Sequence, residues 1–238
     1  WTELKADNVY ANNIDNVYTG DANLYVDHSK TVVGDGTSSS PFNNFKTLAD
    51  YLQATPILKK DLVINVVSTG DVTDNLDLRG IRGNGTIRIN LAKTLVLNKS
   101  NANSAFYFYG CDVAITINGG RTGYDSTDGA LLNGFNHGVY FNQCKYGWVE
   151  YLAIDTKGSG TEQWGIIFRN TNGRTTRVDF CDTWNAVLAD FGSNVADNDS
   201  CGNCKNVFFV QSGAHVMLGS TEDNGYKPVG KYIENGGC

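Results

Sequence analysis

The feature that most constrains the fold is a short unit that the sequence repeats. Each unit has an apolar run rich in aromatic and β-branched residues, a polar elbow and a second run, as in HGVYFNQCKYGWVEYLAI (137–154) and GIIFRNTNGRTTRVDFC (165–181). Aligning the elbows gives a first column of Phe108, Phe141, Phe168 and Leu188 and a second of Cys111, Cys144, Thr171 and Phe191. Such repetition predicts stacked units that bury their apolar faces against their neighbours.

The runs from Leu62 onward are short and are separated by Gly, Asn, Asp and Ser, which is typical of strands. The chain contains 27 Gly and 27 Asn but only 3 Pro, and Gly and Asn accept the left-handed conformations of tight turns. The predicted class is therefore all-β. A solenoid is favoured over a sandwich or jelly roll of the same strands, because neither of these requires aligned columns.

One segment has helical periodicity. Apolar residues recur at intervals of three and four (Phe42, Phe45, Leu48 and Leu52), which predicts an amphipathic helix over about 42–54 with Pro41 at its start. The polar residues 1–23 are predicted to form an extended stem or assembly segment, and residues 24–238 a single β-rich domain.

Charge and hydropathy exclude two classes of partner. The net charge is −6 and no dense run of Lys or Arg occurs, which argues against nucleic-acid binding. No stretch approaches the roughly 20 apolar residues of a membrane span, so no membrane insertion is predicted. The first residue is Trp rather than Met, which indicates a processed or trimmed chain from which a secretion signal could have been removed.

The six cysteines do not form a dense disulfide framework. Cys201 and Cys204 have the spacing of half a metal or redox site, but no second pair has matching spacing, so free thiols or one local bridge are favoured over zinc. Cys111 and Cys144 are predicted to be small apolar fillers of the core. No metal site and no cofactor are predicted.

Three stretches resemble a known kind of protein. LYVD (24–27), GDGTSSSPFNNFKTLADYL (34–52) and KKDLVINVVSTGDVTDNLDLRGIRGNGTIRIN (59–90) resemble the entry segment of right-handed parallel β-helix proteins. The resemblance is closest to tail-spike and tail-fibre proteins of bacteriophages that infect Gram-positive hosts. It covers residues 24–90 well, whereas the remainder matches only as generic coils. Many polysaccharide lyases and hydrolases share this opening, so it specifies the fold more strongly than the activity.

The resemblance implies a right-handed single-stranded parallel β-helix (pectate-lyase-like) with a capping helix over its first coil. It also implies a homotrimer joined to other virion tail proteins by the segment 1–23, located in the virion tail outside the cell. A secreted or cell-surface location is the alternative. The implied ligand is a bacterial cell-surface polysaccharide.

Two acidic residues are candidates for catalysis. Aligning WVEYL (148–152) with RVDFC (177–181) places Glu150 directly over Asp179 on the solvent side. Stacked strands lie about 4.8 Å apart, and carboxylates at about 5 Å suit a retaining glycosidase. The alternative is a solvated acidic column that Arg177 or Arg169 compensates.

A group of aromatic residues is the stronger indication of binding. Five rings lie within 40 residues of sequence, and neighbouring charged side chains could bond to sugar hydroxyls. The predicted carbohydrate-binding residues are Trp148, Trp164, Trp184, Tyr146, Tyr151, Arg169, Arg177 and Asp182. The alternative is that these rings close strand ends or fill a trimer interface.

The histidines His28, His137 and His215 are isolated in sequence and are predicted to be structural, and no Ser-His-Asp order stands out. The function favoured is a tail protein that recognises host polysaccharide without cleaving it, or with weak cleavage. The first alternative is a β-helix glycoside hydrolase or lyase acting on envelope polysaccharide. The second is a secreted bacterial surface or filament protein.

Overall fold

The computed structural model describes most of the chain. The described residues are 17–20, 22–98, 104–121, 129–156, 163–181, 183–197, 200–201, 206–218 and 231–235. Within them, strands dominate and one α-helix occurs, α1 (Phe45–Ala54). A small sheet consists of β1 (Val17–Tyr18), β3 (Ile57–Leu58) and β7 (Arg82–Gly83).

The other described strands form three larger sheets, in each of which the strands follow one another in chain order. Sheet 1 consists of β2 (Asn23–Val26), β4 (Leu62–Val66), β8 (Thr86–Leu91), β11 (Ala114–Asn118), β14 (Tyr146–Glu150), β17 (Asn172–Thr176), β20 (Asn194–Asp197) and β23 (His215–Leu218). Sheet 2 consists of β5 (Gly70–Val72), β9 (Leu95–Asn98), β12 (Leu131–Asn133), β15 (Ala153–Asp155), β18 (Asp179–Cys181) and β21 (Ser200–Cys201). Sheet 3 consists of β6 (Leu76–Arg79), β10 (Ser104–Tyr109), β13 (His137–Asn142), β16 (Trp164–Arg169), β19 (Asn185–Asp190), β22 (Asn206–Gln211) and β24 (Lys231–Asn235).

The chain visits the three sheets in a fixed rotation. From β4 to β23 each strand of sheet 1 is followed by one of sheet 2 and then one of sheet 3, with β7 as an extra strand before β8. The paired strands are parallel in all three sheets; β4 with β8, β9 with β12, and β13 with β16 are examples. The prediction of an all-β fold is therefore confirmed, and its strands are parallel.

Alternation along the strands separates core from surface. In β4, Leu62, Ile64 and Val66 are buried, whereas Val63 and Asn65 between them are not. Side chains of a strand point alternately to its two faces, so one face of sheet 1 contributes to the apolar core and the other carries polar groups. That outer face is available for function.

The first predicted column is correct for its three phenylalanines and wrong for its last member. Phe108, Phe141 and Phe168 are register partners, and their rings stack at centroid distances of 5.2 and 5.4 Å. The residue opposite Phe168 is Ala189, whereas Leu188 points to the other side of the strand. A shift of one residue reverses the side of a strand that a residue occupies.

The second column is also corrected at its last position. Cys111, Cys144 and Thr171 are buried, and Thr171 N–H donates to Ser193 Oγ at 3.0 Å. Ser193 therefore takes the place predicted for Phe191, whose side chain is exposed. The elbow after β19 contains two consecutive residues with positive φ, Phe191 and Gly192, whereas that after β16 contains one, Asn170. This extra residue displaces the alignment.

The prediction that Cys111 and Cys144 fill the core is confirmed. Both thiols are free and buried. A hydrogen bond with Cys144, together with burial, raises the pKa of Cys111. Cys181 is free and half-buried. Cys204 and the side chain of Cys201 lie outside the described residues, so the predictions for that pair stay predictions.

The predicted helix exists but begins at Phe45 instead of near residue 42. The N-cap is Asn44, whose side chain accepts a hydrogen bond from Thr47 N–H at 2.8 Å. Pro41 therefore lies outside the helix, and Phe42 forms an isolated bridge with Val26. The helix buries its apolar face, and the Phe45 ring packs against the Phe106 ring with the two centroids 5.7 Å apart. This contact holds α1 against sheet 3.

Candidate functional site: the outer face of sheet 1

The outer face of sheet 1 carries two adjacent columns of side chains. The first consists of Asn65, Asn90, Asn118, Glu150 and Thr176. The second consists of Val63, Arg88, Thr116, Trp148 and Arg174. Amide, guanidinium, carboxylate and indole groups therefore lie side by side. We call the surface formed by Arg88, Asn118, Trp148, Glu150 and Arg174 the sheet-1 surface.

Glu150 is the buried anchor of the sheet-1 surface. Its residue is 5% exposed, and its Oε1 accepts hydrogen bonds from Arg88 Nη2 at 2.6 Å and from Asn118 Nδ2 at 2.8 Å. The guanidinium also donates from Nε to Asn90 Oδ1 at 3.1 Å. A buried carboxylate is tolerated when it is paired and hydrogen-bonded in this way. Its position therefore fixes the side chains around it.

Trp148 presents its ring beside this anchor. The indole Nε1 donates to Thr176 Oγ1 at 3.2 Å, which fixes the orientation of the ring. The guanidinium of Arg174, which is exposed, lies over the ring with its Cζ 5.2 Å from the centroid. Tyr146 lies two residues earlier on the same strand face, and burial raises its pKa although Arg174 opposes the effect. Aromatic surface and hydrogen-bond donors thus coincide.

The structure does not stack Glu150 over Asp179. Glu150 pairs with Asn118 and Thr176 in sheet 1, whereas Asp179 pairs with Ala153 in sheet 2. The sequence alignment was off by three residues, because Trp148 lies opposite Arg174 and not opposite Arg177. The predicted catalytic pair is therefore divided between two sheets.

Asp179 belongs to a different polar group. Its Oδ2 lies 3.0 Å from Arg121 Nη1, and Cys181 Sγ donates to the same oxygen at 3.5 Å. Burial, followed by the charge of Asp179, raises the pKa of Cys181 to about 12. This carboxylate is paired with the Arg121 guanidinium, which agrees with the alternative of a charge-compensated acidic residue, although the cations predicted for that role were Arg177 and Arg169.

The turn between sheets 1 and 2 holds two more predicted residues. Tyr151 and Arg177 occupy equivalent turn positions, both with positive φ (55° and 52°), and Tyr151 N–H donates to Thr176 O. Arg177 Cζ lies 5.7 Å from the centroid of the Tyr151 ring. Tyr151 directly follows Glu150 of the sheet-1 surface, and Arg177 directly follows Thr176, the register partner of Glu150. The two residues therefore extend the sheet-1 surface toward the turn.

The other predicted binding residues lie elsewhere. Trp164 begins β16 in sheet 3, where its ring contacts Phe209 edge-on at 5.5 Å. Arg169 ends the same strand with its Nε 3.3 Å from Asp190 Oδ2. Trp184 precedes β19 and is half-buried. Asp182 lies outside the described residues. The seven predicted residues that the structure describes therefore do not form one site.

Sequence reasoning missed a second aromatic surface, on the outer face of sheet 3. Tyr107 and Tyr109 stack at 6.5 Å, and Tyr140 meets Tyr107 edge-on at 5.2 Å. Arg79 Cζ lies 5.2 Å from the Tyr107 centroid. The signal was present in AFYFY, where Phe106 and Phe108 point inward and the tyrosines must therefore point outward.

Comparison with protein-family models, with curated proteins and with solved structures found no match to this chain. In the described part of the chain, no helix is long and apolar enough to cross a membrane. Nor do the described residues bring together three or more His, Cys, Asp or Glu side chains that could hold a metal ion.

Proposed function

We propose that this protein is a tail-spike or tail-fibre component of a virion that recognises a polysaccharide on the surface of its bacterial host. The observation that carries the proposal is the sheet-1 surface, where an oriented tryptophan lies among guanidinium, amide and carboxylate groups. Sugars offer CH groups to aromatic rings and hydroxyls to polar side chains, so they match this combination.

We also propose that the fold is a right-handed single-stranded parallel β-helix. The fixed rotation through three parallel sheets supports this, because a solenoid requires each unit to lie on the one before it. A sandwich or jelly roll is built of antiparallel strands, whereas the paired strands of sheets 1, 2 and 3 are parallel. The helix α1 supports the proposal as well, since it covers apolar residues at the first coil.

Regular stacking gives the sheet-1 surface its suitability for a polymer. Outward side chains recur at each strand spacing of about 4.8 Å, so a long chain molecule can contact several strands in succession. If three copies assemble, as the resemblance implies, weak contacts of each copy add through multivalency. Recognition without cleavage then needs no acid pair, which agrees with the separation of Glu150 from Asp179.

The test is a retention assay on purified cell-wall and capsular polysaccharides by affinity gel electrophoresis. The same mixtures are assayed for reducing sugars and unsaturated products. We expect retention on at least one polysaccharide and no release of oligosaccharide. Release that disappears in the double variant Glu150→Gln/Asp179→Asn would favour the depolymerase alternative. Absence of retention on every host polysaccharide would overturn the proposal.

A further inference from the structure

A histidine meets a serine and an aspartate beside α1, and both lie at least 40 residues from it in sequence. Ser68 Oγ lies 2.7 Å from His28 Nδ1, and His28 Nε2 lies 2.9 Å from Asp74 Oδ2. We propose that these residues form a hydrolytic site for small neutral carboxylic esters, with Ser68 as nucleophile. The proposal is independent of polysaccharide recognition, because none of these residues belongs to the sheet-1 surface.

The hydrogen bonds define the direction of proton transfer. An ionised carboxylate only accepts hydrogen bonds, so Asp74 requires a proton on His28 Nε2. In the neutral imidazole Nδ1 is then the unprotonated nitrogen, and it accepts from the hydroxyl of Ser68. This is the relation of nucleophile, base and orienting acid that acyl-transfer sites use, although Nδ1 instead of Nε2 faces the serine in this chain.

The carboxylate is held in place by backbone N–H groups of α1 and of the neighbouring Asn75. Asp74 Oδ2 accepts from Phe45 N–H at 2.7 Å, and Oδ1 accepts from Asn75 N–H at 2.8 Å. Burial, the largest single influence, raises the pKa of Asp74, but the hydrogen bonds from His28, Phe45 and Asn75 outweigh it and leave the pKa below its usual value. The Phe45 ring also packs edge-on against the His28 ring at 4.9 Å. The imidazole is therefore fixed on two sides.

A cleft gives a substrate access to the serine. Its volume is about 480 Å³, which suits a small molecule. Ser68 and His28 both line it, together with Asp27, Thr69 and Asp71. The described lining residues include two carboxylates and no Lys or Arg, which disfavours an anionic substrate. Ser68 is only 3% exposed, so the acyl group that reaches it must be small, of the size of acetyl.

The reaction proceeds in two balanced steps. Ser68 Oγ bonds to the acyl carbon while its proton passes to His28 Nδ1, and the alcohol leaves with that proton when the ester C–O bond breaks. A water molecule then attacks the acyl-serine, gives one proton to His28 and releases the carboxylic acid, with the proton returning to Ser68. The backbone N–H of His28 already donates to Ser68 Oγ at 2.8 Å and orients it. No oxidant or metal is required.

The test uses the intact chain with methanesulfonyl fluoride, whose sulfonyl group is close to acetyl in size, and with p-nitrophenyl acetate. We expect peptide mass mapping of the wild-type protein to place the methanesulfonyl adduct on Ser68. Hydrolysis of p-nitrophenyl acetate should fall by about 100-fold or more in Ser68→Ala and in His28→Gln. The matched control is Ser104→Ala, which removes another buried serine that lies beside a histidine, at 3.3 Å from His137 Nδ1. This variant should hydrolyse the ester at the wild-type rate.

Two results would overturn the proposal. One is an adduct that is absent from Ser68 or spread evenly over surface serines and tyrosines of the wild-type protein. The other is Ser68→Ala hydrolysing the ester as fast as the wild type. The mapping is made on the unmodified chain, so it decides the question even if Ser68→Ala does not fold. Thermal melting of the variants identifies that case.

Discussion

Phe141 and Phe168 lie on neighbouring strands of sheet 3 with their ring centroids 5.4 Å apart and their planes inclined by 12°. Phe108 continues the stack on the preceding strand at 5.2 Å. All three side chains are fully buried. The parallel register repeats one position from strand to strand, so the same side chain recurs directly above itself. This column connects successive units through the core.

Replacing the central ring should destabilise the fold strongly. Phe141→Ala removes a ring that contacts both neighbours, and we expect it to lower the free energy of unfolding by about 3–5 kcal/mol. Urea denaturation followed by circular dichroism measures the change. Phe191→Ala is the matched control, because this ring is 57% exposed, and its effect should stay within about 0.5 kcal/mol. Similar losses for both variants would contradict the described core.

The column of Phe108, Phe141 and Phe168 also requires a glycine in sheet 1, where Gly147 lies against the Phe141 ring. A Cβ added at Gly147 would lie 2.7 Å from Phe141 Cδ2, which is closer than van der Waals contact allows. Gly147→Ala should therefore cost about 1–3 kcal/mol through overpacking. In the double variant Gly147→Ala/Phe141→Leu the added methyl group has more space, so the two effects should be less than additive. Full additivity in a double-mutant cycle would show that this contact is absent.

The ion pair in the sheet-1 surface yields an asymmetric prediction. Arg88→Gln leaves the Glu150 carboxylate buried without its cation, whereas Glu150→Gln leaves a guanidinium that is 42% exposed in the side chain. Because Arg88 is partly solvated, we expect about 1–2 kcal/mol of destabilisation for Arg88→Gln and less for Glu150→Gln. The variant Arg88→Gln/Glu150→Gln should be more stable than Arg88→Gln alone. Chemical denaturation at neutral pH tests this order, and the reverse order would refute it.

The ionisation of Asp74 makes the stability of the fold depend on pH. Its pKa is lower in the folded chain than the ordinary value of 3.8, so its ionised form stabilises the fold above that pH. The contribution is lost as the pH falls through the folded pKa. Asp74→Asn should therefore destabilise the protein at pH 7 and differ little from the wild type at about pH 2. Urea denaturation at both values measures this.

The control for this pH dependence is Asp50→Asn. The Asp50 side chain is 59% exposed and pairs only at the surface with Lys46. This variant separates the loss of a carboxylate from the loss of the buried network. A difference between Asp74→Asn and the wild type that is equal at pH 7 and about pH 2 would contradict the account of Asp74.

The periodic parts of the fold were predictable from sequence. Alternating apolar residues and repeated elbows were enough to predict strands and to align Phe108 with Phe141 and Phe168. The alignment failed where elbow length varies, as at Phe191 and Gly192, because one inserted residue is invisible to a comparison of short runs. Asp179 was misplaced by three residues relative to Glu150 because WVEYL was matched with the similar run RVDFC, whereas the register pairs Trp148 with Arg174.

The functional geometry was less predictable, because it depends on contacts between distant segments. Arg88 and Glu150 are 62 residues apart, and nothing near either residue indicates the other. His28 looked isolated for the same reason, since Ser68 lies 40 residues away. Trp148 lies on the outer face of sheet 1. Its predicted grouping with Trp164 relied on proximity in sequence, which does not specify which sheet a residue joins.

The most direct measurement of the central claim is the affinity of the polysaccharide that the intact chain retains, determined for the wild type, Trp148→Ala and Trp164→Ala. Trp164 is the matched control, because its ring packs against Phe209 on sheet 3. We predict that Trp148→Ala weakens binding by about tenfold or more, equivalent to about 1.4 kcal/mol, and that Trp164→Ala binds like the wild type. Wild-type affinity in Trp148→Ala would contradict recognition through the sheet-1 surface.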